Sequence, residues 1–408
     1  MFSKSIVTKG GDVFRDEKSL AFDGSNDYVN VDGLSSVFST DSAFSLVFWF
    51  KCLNVGHVGG DDEHKEIIFS AHDSTNSYAN ILRLGINPNN DSSPIGGIFV
   101  VDNSGNTTIY TDNGSADSGT KYFNNGKWHH LVITNASGAG NTTSNVYIDG
   151  VQLTNYYTTS GGSDTNTLDV QWSDADKFSI AQEYDGSAAV SDNFFGNISE
   201  VAIYNSALTI NQVKTIYNGR EPYNHKEGVA SGNLQAWYRM GDSDLNQFDS
   251  NSANILIADE TNITLGSNIV TNGTFSADSD WTKGTGWSIG SGVASGSSIG
   301  MSNILSQDIS AVTGKIYRVS FDITAHSGGT IVLVDIGSSI TASNVVVATA
   351  TGHRTIYVKA AGSDLLIAGM SFGLEFSGSI DNVKVQQLGG NAGFMKNMTL
   401  TDIEGDTP

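Results

Sequence analysis

The stretch DNFFGNISEVAIYNSALTINQVKTIYNGR, residues 192–220, decides the fold of the residues that precede it. It begins with an apolar strand that contains Ile198, Val201 and Ile203. Val201 and Ile203 face one side of this strand, and Ala202 and Tyr204 face the other. Apolar side chains on both faces indicate a strand that is covered on both sides.

A short helix follows the strand. The spacing of Leu208, Val213 and Ile216 predicts a helix that starts at Ser206, and Gly219 is the expected stop. The rest of the chain alternates short apolar runs with turn-forming clusters, and it has 46 glycines and 4 prolines. We therefore predict an all-β chain with one short helix, and 408 residues are enough for two β-sandwich domains.

Charge restricts the partners of the chain. There are 21 basic and 43 acidic residues, which gives a net charge of −22. Nucleic acids and anionic membranes both reward basic surfaces, so we expect neither partner. No apolar run approaches the length of a membrane span, so membrane insertion is not expected either.

The sequence also predicts where the chain folds. Cys52 is the one cysteine, which excludes an intrachain disulfide framework, and its apolar surroundings indicate a buried thiol. The N-terminal residues MFSKSIVTKGGDVFRDEKS lack the apolar core of a secretory signal peptide. We therefore expect folding in a reducing cytoplasm, with residues 1–17 forming a polar N-terminal arm.

Five motifs occur in a fixed order before residue 220: FDGSNDYV, FWFK, WHHLVIT, VYIDGV and SEVAIYNSALT. In this order they resemble the laminin-G-like and pentraxin-like domains of the concanavalin A-like jelly-roll superfamily. LQAWYRMGD, residues 234–242, is expected to add a last strand to the same sandwich. The resemblance implies a concanavalin A-like domain over residues 18–242.

A second β module follows a polar connection at residues 243–267. In KIYRVSFDIT, residues 315–324, Tyr317, Val319, Phe321 and Ile323 alternate with polar residues, which predicts a half-buried strand. With NGTF at its start and SIDNVKV at its end, the region 268–388 resembles carbohydrate-binding modules of the galactose-binding-like jelly-roll type. Residues 389–408 are predicted to be a C-terminal tail that packs on another subunit or is free.

The resemblance raises the question of catalysis. Related β-glucanases carry the pattern E-x-D-x-x-E on one strand, and Glu183 and Asp185 match its first two positions. Ala188 stands at the third position, and a retaining glycosidase needs both of its catalytic carboxylates. We therefore predict a domain that is not an enzyme.

Pentraxin-like relatives bind calcium in a segment that resembles AQEYDG, residues 181–186. The resemblance implies that Glu183 and Asp185 are calcium ligands, although Tyr78 and Ala79 stand where the family has a further Asp-Asn pair. A solvated loop end is the alternative interpretation. In the second module, Asp381 matches the position of a structural calcium ligand in related modules.

Trp281 and Trp287, in DWTKGTGWS, are the aromatic candidates for stacking on a sugar. Tryptophans at this position also fill the cores of such sandwiches. We assign Trp287 to the core and keep Trp281 as the candidate carbohydrate-binding residue.

Lectin-like modules without export signals or disulfides fit a protein that folds in a host cytoplasm and meets glycans after lysis. The sequence therefore predicts a non-enzymatic bacteriophage virion protein, such as a tail fibre, a spike or a capsid-surface fibre, that adheres to host surface polysaccharide. We expect contacts with other virion proteins and a homo-oligomer, with a trimer favoured. The alternatives are a purely structural decoration protein and a polysaccharide-degrading enzyme with an unrecognised site.

Overall fold

A computed structural model describes residues 14–53, 66–76, 80–86, 96–103, 105, 107–111, 123–137, 142–158, 166–185, 189–221, 223–242, 255–340, 345–347 and 349–408. Residues 1–13 of the N-terminal arm and residues 243–254 of the connection lie outside this description. The described residues form four main antiparallel sheets and one α-helix, which confirms the all-β fold class.

The elements up to the connection are β1 (Ser19–Asp23), β2 (Tyr28–Asn30), β3 (Phe44–Cys52), β4 (Glu66–His72), β5 (Asn80–Ile86), β6 (Ile98–Asp102), β7 (Thr107–Thr111), β8 (Trp128–Asn135), β9 (Thr142–Ile148), β10 (Val151–Leu153), β11 (Asn155–Thr158), β12 (Thr167–Leu168), β13 (Lys177–Ile180), β14 (Glu183–Asp185), β15 (Ala189–Ser191), β16 (Phe195–Tyr204), α1 (Ile210–Tyr217), β17 (Leu234–Tyr238) and β18 (Leu256–Ile257). The elements after it are β19 (Leu265–Asn268), β20 (Thr282–Lys283), β21 (Trp287–Gly290), β22 (Val293–Ile299), β23 (Leu305–Asp308), β24 (Ile316–Gly328), β25 (Ile331–Ile336), β26 (Val345–Val347), β27 (Gly352–Lys359), β28 (Asp364–Gly369), β29 (Phe376–Leu388), β30 (Gly393–Lys396) and β31 (Ile403–Glu404). Short 3₁₀ turns occur at Asp32–Ser36, Trp172–Asp174, Asn218–Arg220, Ser231–Asn233 and Leu400–Asp402.

Two nine-stranded sheets form the first sandwich. One has the order β10-β9-β8-β3-β16-β1-β31, with β12 beside β9 and β17 beside β16. The other has the order β11-β7-β6-β5-β4-β13-β2-β30-β18. The apolar side chains that these sheets turn toward each other form one large core.

The segment 192–220 has the predicted strand and helix, with one shift. β16 pairs with β3 along one edge and with β1 and β17 along the other, so it is a central strand. The helix begins after Thr209, later than Ser206, because Thr209 and Gln212 form a capping box that satisfies the first free N–H groups. Leu208 precedes this cap and packs with Val213 in the same apolar cluster.

The second sandwich consists of a sheet with the order β21-β22-β29-β24-β27, with β19 beside β29, and a sheet with the order β20-β23-β28-β25-β26. In β24 the predicted inward side chains are buried in its core: Tyr317, Val319, Phe321 and Ile323. The alternation along β24 therefore leaves the outer face of this sheet to polar side chains.

The chain returns to the first sandwich after residue 388. β30 lies between β2 and β18, with Phe394 opposite Leu256, and β31 pairs with β1 through Ile403 and Leu20. Met395 is part of the first core. The predicted connection and C-terminal tail thus both contain strands of the first sandwich, and the second sandwich is inserted between β18 and β30.

Part of the N-terminal arm also packs on the first sandwich. Asp16 accepts a hydrogen bond from Ser199 Oγ at 3.0 Å, beside a β-bulge at which Glu200 has a left-handed φ of 48°. Glu200 accepts a hydrogen bond from Arg239 Nε at 3.2 Å, and Arg239 also lies near Asp242. Burial, and then the charge of Glu200, raises the pKa of Asp16 to about 9, so Asp16 holds a proton at neutral pH.

The core position of β30 can be tested at Met395. We expect Met395→Ala to lower the free energy of unfolding by about 2–5 kcal/mol, because it leaves a cavity in the first core. Met395→Leu keeps the volume and is expected to cost less than about 1.5 kcal/mol. Urea denaturation of the full chain measures both, and equal small losses would contradict the core position.

The protonated Asp16 predicts that stability depends on pH. The pKa of Asp16 is raised from 3.8 to about 9, so the folded state binds a proton that the unfolded chain releases above its own pKa. The resulting stabilisation falls as the pH rises through this range and is lost above about pH 9. Asp16→Asn should flatten the decrease in the free energy of unfolding between pH 6 and pH 9, whereas the exposed control Asp308→Asn should not. If the free energy of unfolding depended on pH equally in the wild type and in both variants, the protonation of Asp16 would be refuted.

Candidate functional site

In the second sandwich, a row of polar side chains lies on the outer face of β24. β24 lies between β27 and β29, which places Ser320 opposite both Thr355 and Lys384. Two residues before Ser320 on the same strand, Arg318 lies opposite Tyr357 on β27 and Gln386 on β29. Four strands, including β19, thus bring distant parts of the sequence onto one surface.

These side chains enclose an open groove of about 470 Å³. We call it the β24 groove, and its lining residues are Asn268, Arg318, Ser320, His353, Thr355, Lys384 and Gln386. Its volume lies within the range of about 300–1,000 Å³ that is usual for small-ligand sites. Every lining residue carries a polar group, so the groove suits a ligand with many hydroxyl groups.

Hydrogen bonds fix several of these groups in place. Arg318 Nη2 donates to Gln386 Oε1 at 2.5 Å. Asn268 Oδ1 accepts from the backbone N–H groups of Val270 and Val385, at 3.2 and 3.0 Å. Arg318 Nε is buried and has no hydrogen-bond partner within the described part of the chain. The Nη2 contact with Gln386 holds the guanidinium group against β29.

Asp322 lies at one end of the polar row on β24, beside the groove residue His353. Its carboxylate accepts hydrogen bonds from His353 Nδ1 and Asn382 Nδ2, both at 2.7 Å. Burial alone would raise the pKa of Asp322, but these two hydrogen bonds and the charges of His353 and Lys384 lower it below its usual value. Asp322 is thus an ionised hydrogen-bond acceptor at neutral pH.

The first sandwich closes the other end of the same face. An apolar cluster joins the two sandwiches there, formed by Leu256, Leu265, Ile316, Tyr357, Leu388, Ala392 and Phe394. Leu256 and Phe394 come from β18 and β30, the strands between which the second sandwich is inserted. The outer face of β24 is therefore part interface and part open groove.

The predicted calcium ligand Glu183 is engaged by a cation of the protein. Arg83 Nη1 donates to both of its carboxylate oxygens, at 3.1 and 2.9 Å, and the Glu183 side chain is only 3% exposed. A buried ion pair of this geometry satisfies the carboxylate without a metal. In this arrangement Glu183 does not fit a calcium ion, which would have to displace Arg83.

The other predicted metal ligands give no cluster. The Asp185 side chain lies outside the described residues. Asp381 Oδ1 accepts the backbone N–H of Asn382 at 2.7 Å, and Asn272 is occupied by hydrogen bonds to its own loop. No group of three or more His, Cys, Asp or Glu side chains in the described ranges could hold a metal. Calcium binding stays a prediction.

The structure places both tryptophans of DWTKGTGWS in the second core. Trp281 is 8% exposed, and its indole N–H donates to the carbonyl of Asn272 at 3.1 Å. Trp287 is 7% exposed and donates to the carbonyl of Asn303. A buried indole offers little ring face to a sugar, so the position of Trp281 does not support the predicted stacking role.

Sequence reasoning missed the β24 groove as a site. The outward positions of β24, at Arg318, Ser320 and Asp322, were visible as the polar half of its alternation. Their partners on β19, β27 and β29 come from segments up to 68 residues away, as for Arg318 and Gln386. Strand pairing over such separations is not encoded in a local pattern.

None of the helices in the described ranges is long and apolar enough to cross a membrane.

The role of Arg83 can be tested by substitution. Arg83→Met leaves a buried carboxylate without a partner, and we expect it to lower the free energy of unfolding by about 3–5 kcal/mol. The double variant Arg83→Met/Glu183→Gln removes that charge and should recover most of the loss. Thermal unfolding with and without calcium measures both variants and the wild type.

We expect calcium not to raise the thermal midpoint of the wild type through Glu183, because Arg83 already neutralises this carboxylate. A calcium-dependent rise in the wild type that Glu183→Gln removes would show that the metal displaces Arg83. A rise in Arg83→Met alone would show that Glu183 can bind calcium once the arginine is absent.

Several solved structures are similar to the chain at low identity. A heptameric pentraxin from Limulus polyphemus is 16% identical, with a TM-score of 0.32, and the match covers 50% of this chain and 84% of that one. Domain 4 of an extracellular arabinanase from Geobacillus stearothermophilus, solved with arabinotriose, is 19% identical, with a TM-score of 0.29 and coverages of 51% and 82%. Tailspike protein 2 of the Escherichia coli O157:H7 bacteriophage CAB120 is 14% identical, with a TM-score of 0.27 and coverages of 58% and 31%.

No curated protein matches the chain by sequence. Residues 23–214 match the Laminin_G_3 family model, described as the concanavalin A-like lectin/glucanases superfamily. The match extends from Asp23 in FDGSNDYV to Lys214, in the middle of α1. The first sandwich therefore has a concanavalin A-like fold, and the part of it that matches this family model is residues 23–214.

Proposed function

We propose that the chain is a non-enzymatic surface protein of a bacteriophage virion and that it adheres to host surface polysaccharide through the β24 groove. The observation that carries this proposal is the groove itself, an open cavity of about 470 Å³ lined by polar side chains. Sugars present hydroxyl groups that both donate and accept hydrogen bonds. The guanidinium, ammonium, amide and hydroxyl groups of the lining supply complementary partners.

The lining of the groove also predicts how binding is achieved. None of its seven described lining residues is Trp, Tyr or Phe, so recognition rests on hydrogen bonds and charge. Each such bond contributes only about 0.5–1.5 kcal/mol net in water. Modest affinity per site favours several copies that act together, which fits a homo-oligomer, and we propose a trimer.

Two carboxylates near the candidate sites support a role without catalysis. Glycoside hydrolysis requires a protonated carboxyl group as general acid and a second carboxylate as nucleophile or base. Glu183 is ion-paired with Arg83, and the lowered pKa of Asp322 keeps it ionised. Asp322 is therefore not suited to donate a proton at neutral pH, and Glu183 is held in its ion pair with Arg83.

The proposed location rests on the sequence and on packing. Cys52 is buried and is the one cysteine of the sequence, which is compatible with folding in a reducing host cytoplasm. A net charge of −22 favours solubility and makes nucleic acid an unsuitable partner. We propose that the chain is assembled on the virion surface with other virion proteins.

A glycan array with the purified full chain tests adhesion. We expect binding to bacterial polysaccharide fragments that falls about tenfold in Lys384→Ala and in Arg318→Ala, since a hydrogen bond to a charged group contributes about 1.5–3 kcal/mol. Lys283→Ala is the matched control, because Lys283 is on β20 in the opposite sheet.

Immunogold labelling of the parent particle tests location. Labelling of the surface together with groove-dependent glycan binding is the expected result. Labelling of the surface without any glycan binding would favour the alternative that the chain is a purely structural decoration protein. Absence from particles together with release of sugar from polysaccharide would overturn the proposal in favour of an enzyme.

A further inference from the structure

A second cavity lies where the two sandwiches meet. It is a cleft of about 300 Å³. The first sandwich contributes the turn that contains Asp32 and the start of β13 at Lys177, and the second contributes the loop at Lys315 and the end of β27 at Lys359. We call it the lysine cleft. It is separate from the β24 groove, because the two have no lining residue in common.

Positive charge is concentrated in the lysine cleft. The cleft is lined by Lys177, Lys315 and Lys359. Lys396 lies nearby: burial lowers its pKa, and the positive charge of Lys359 lowers it further. The whole chain has 21 basic residues and a net charge of −22. A local excess of lysines is therefore contrary to the overall charge of the protein.

The carboxylates of the cleft do not fully neutralise these lysines. Asp32 Oδ2 is 3.6 Å from Lys177 Nζ and 3.7 Å from Lys359 Nζ, so one carboxylate is shared by two ammonium groups. Asp176 also lines the cleft, where it is hydrogen-bonded to the backbone N–H and the hydroxyl of Ser74, at 2.8 and 2.6 Å, and interacts with the charge of Lys177. Three lysines of the lining thus face two carboxylates. Lys315 forms no salt bridge with any residue in the described ranges. The cleft thus has cationic capacity for an anionic ligand.

Neutral groups complete the lining. Ser35, Thr313 and Asn391 offer hydroxyl and amide groups, and Ile316 and Ala392 offer apolar surface. Hydroxyl partners beside apolar carbon are what a sugar ring requires, because a sugar carries hydroxyl groups at its edge and C–H groups on its faces. The lining therefore fits a charged sugar better than a bare inorganic anion.

The walls of the cleft are fixed before a ligand arrives. The second sandwich is attached through β18 and β30, which pair with each other through Leu256 and Phe394. The same two residues belong to the apolar cluster that joins the sandwiches. A preformed site loses less conformational entropy when it binds, which favours affinity.

We propose that the lysine cleft binds an anionic saccharide unit, one that carries a carboxylate or a sulfate group, and that both sandwiches contribute to this site. The inference rests on the proposed function, adhesion to polysaccharide, and adds the class of sugar and a second site. Lys315 and Lys359 contact the anionic group, and the neutral groups contact the ring.

Isothermal titration calorimetry of the full chain tests the inference. The probes are an oligogalacturonate, whose anionic groups are carboxylates, a carrageenan oligosaccharide, whose anionic groups are sulfates only, and a neutral galacto-oligosaccharide of equal length. We expect at least one anionic probe to bind more tightly than the neutral one, with affinity that falls as salt is raised above about 0.15 M, where the long-range repulsion by the acidic surface is already screened. The comparison of the two anionic probes distinguishes carboxylate from sulfate.

Lys315→Gln and Lys359→Gln are each expected to weaken binding of the anionic probe about tenfold, and the control Lys214→Gln on α1 should leave it unchanged. Thr313→Trp provides a second, steric test: Thr313 is an exposed loop residue, so the larger side chain should block the cleft without disturbing the core. Thermal midpoints equal to that of the wild type would show that the variants are folded.

Other outcomes separate the two proposals. Equal affinities of the wild type and the cleft variants for the anionic probes would overturn the lysine cleft. If the anionic probes fail to bind while neutral glycans bind through the β24 groove, the cleft proposal fails and the proposed function stands. If neither kind of glycan binds, both proposals fail.

Discussion

The pairing of β18 with β30 is the interaction on which the arrangement of this protein depends. These two short strands carry the chain out of the first sandwich and back into it, and they are hydrogen-bonded to each other through Leu256 and Phe394. A single flexible connection would leave two modules free to reorient, as is usual for domains with small interfaces. Here two connections enter the sheet of the first sandwich side by side, and the apolar cluster around Tyr357 packs against them. The second module is thus fixed relative to the first.

The attachment of the second module determines where the two cavities lie. The apolar cluster covers one part of the outer face of β24 and leaves the remainder as the β24 groove. On another side of the same junction the two modules enclose the lysine cleft, which neither module forms alone. The lysine cleft therefore depends on the return of the chain through β30, whereas the β24 groove is lined by the second module alone. A change that loosens β30, such as one at Met395 in the first core, would disturb the cleft without touching its lining residues.

The sequence predicted correctly those strands and helices that depend on local patterns of apolar residues. The alternation in β24 identified its buried side chains, and the strand and helix of residues 192–220 were found with an error of a few residues at the helix start. It did not predict the strand pairing of β30, because four residues in GFMK have no period that distinguishes a strand from a tail. The ion pair of Arg83 with Glu183 joins residues 100 positions apart, so a carboxylate that resembled a metal ligand proved to be neutralised by the protein. Trp281 shows the same difficulty, since composition marks an aromatic side chain but not which surface covers it.

The overall charge and the lysine cleft act over different distances. A net charge of −22 repels an acidic polysaccharide at long range, but at physiological ionic strength this repulsion is screened beyond about 8 Å. Within that distance an anionic sugar in the cleft interacts mainly with Lys315, Lys359 and their neighbours. At about 0.01 M salt the screening length grows to about 30 Å, and the acidic surface then opposes the approach that the lysines favour. The acidity of the chain therefore maintains solubility without preventing local capture of an anionic glycan, because each effect is confined to its own length scale.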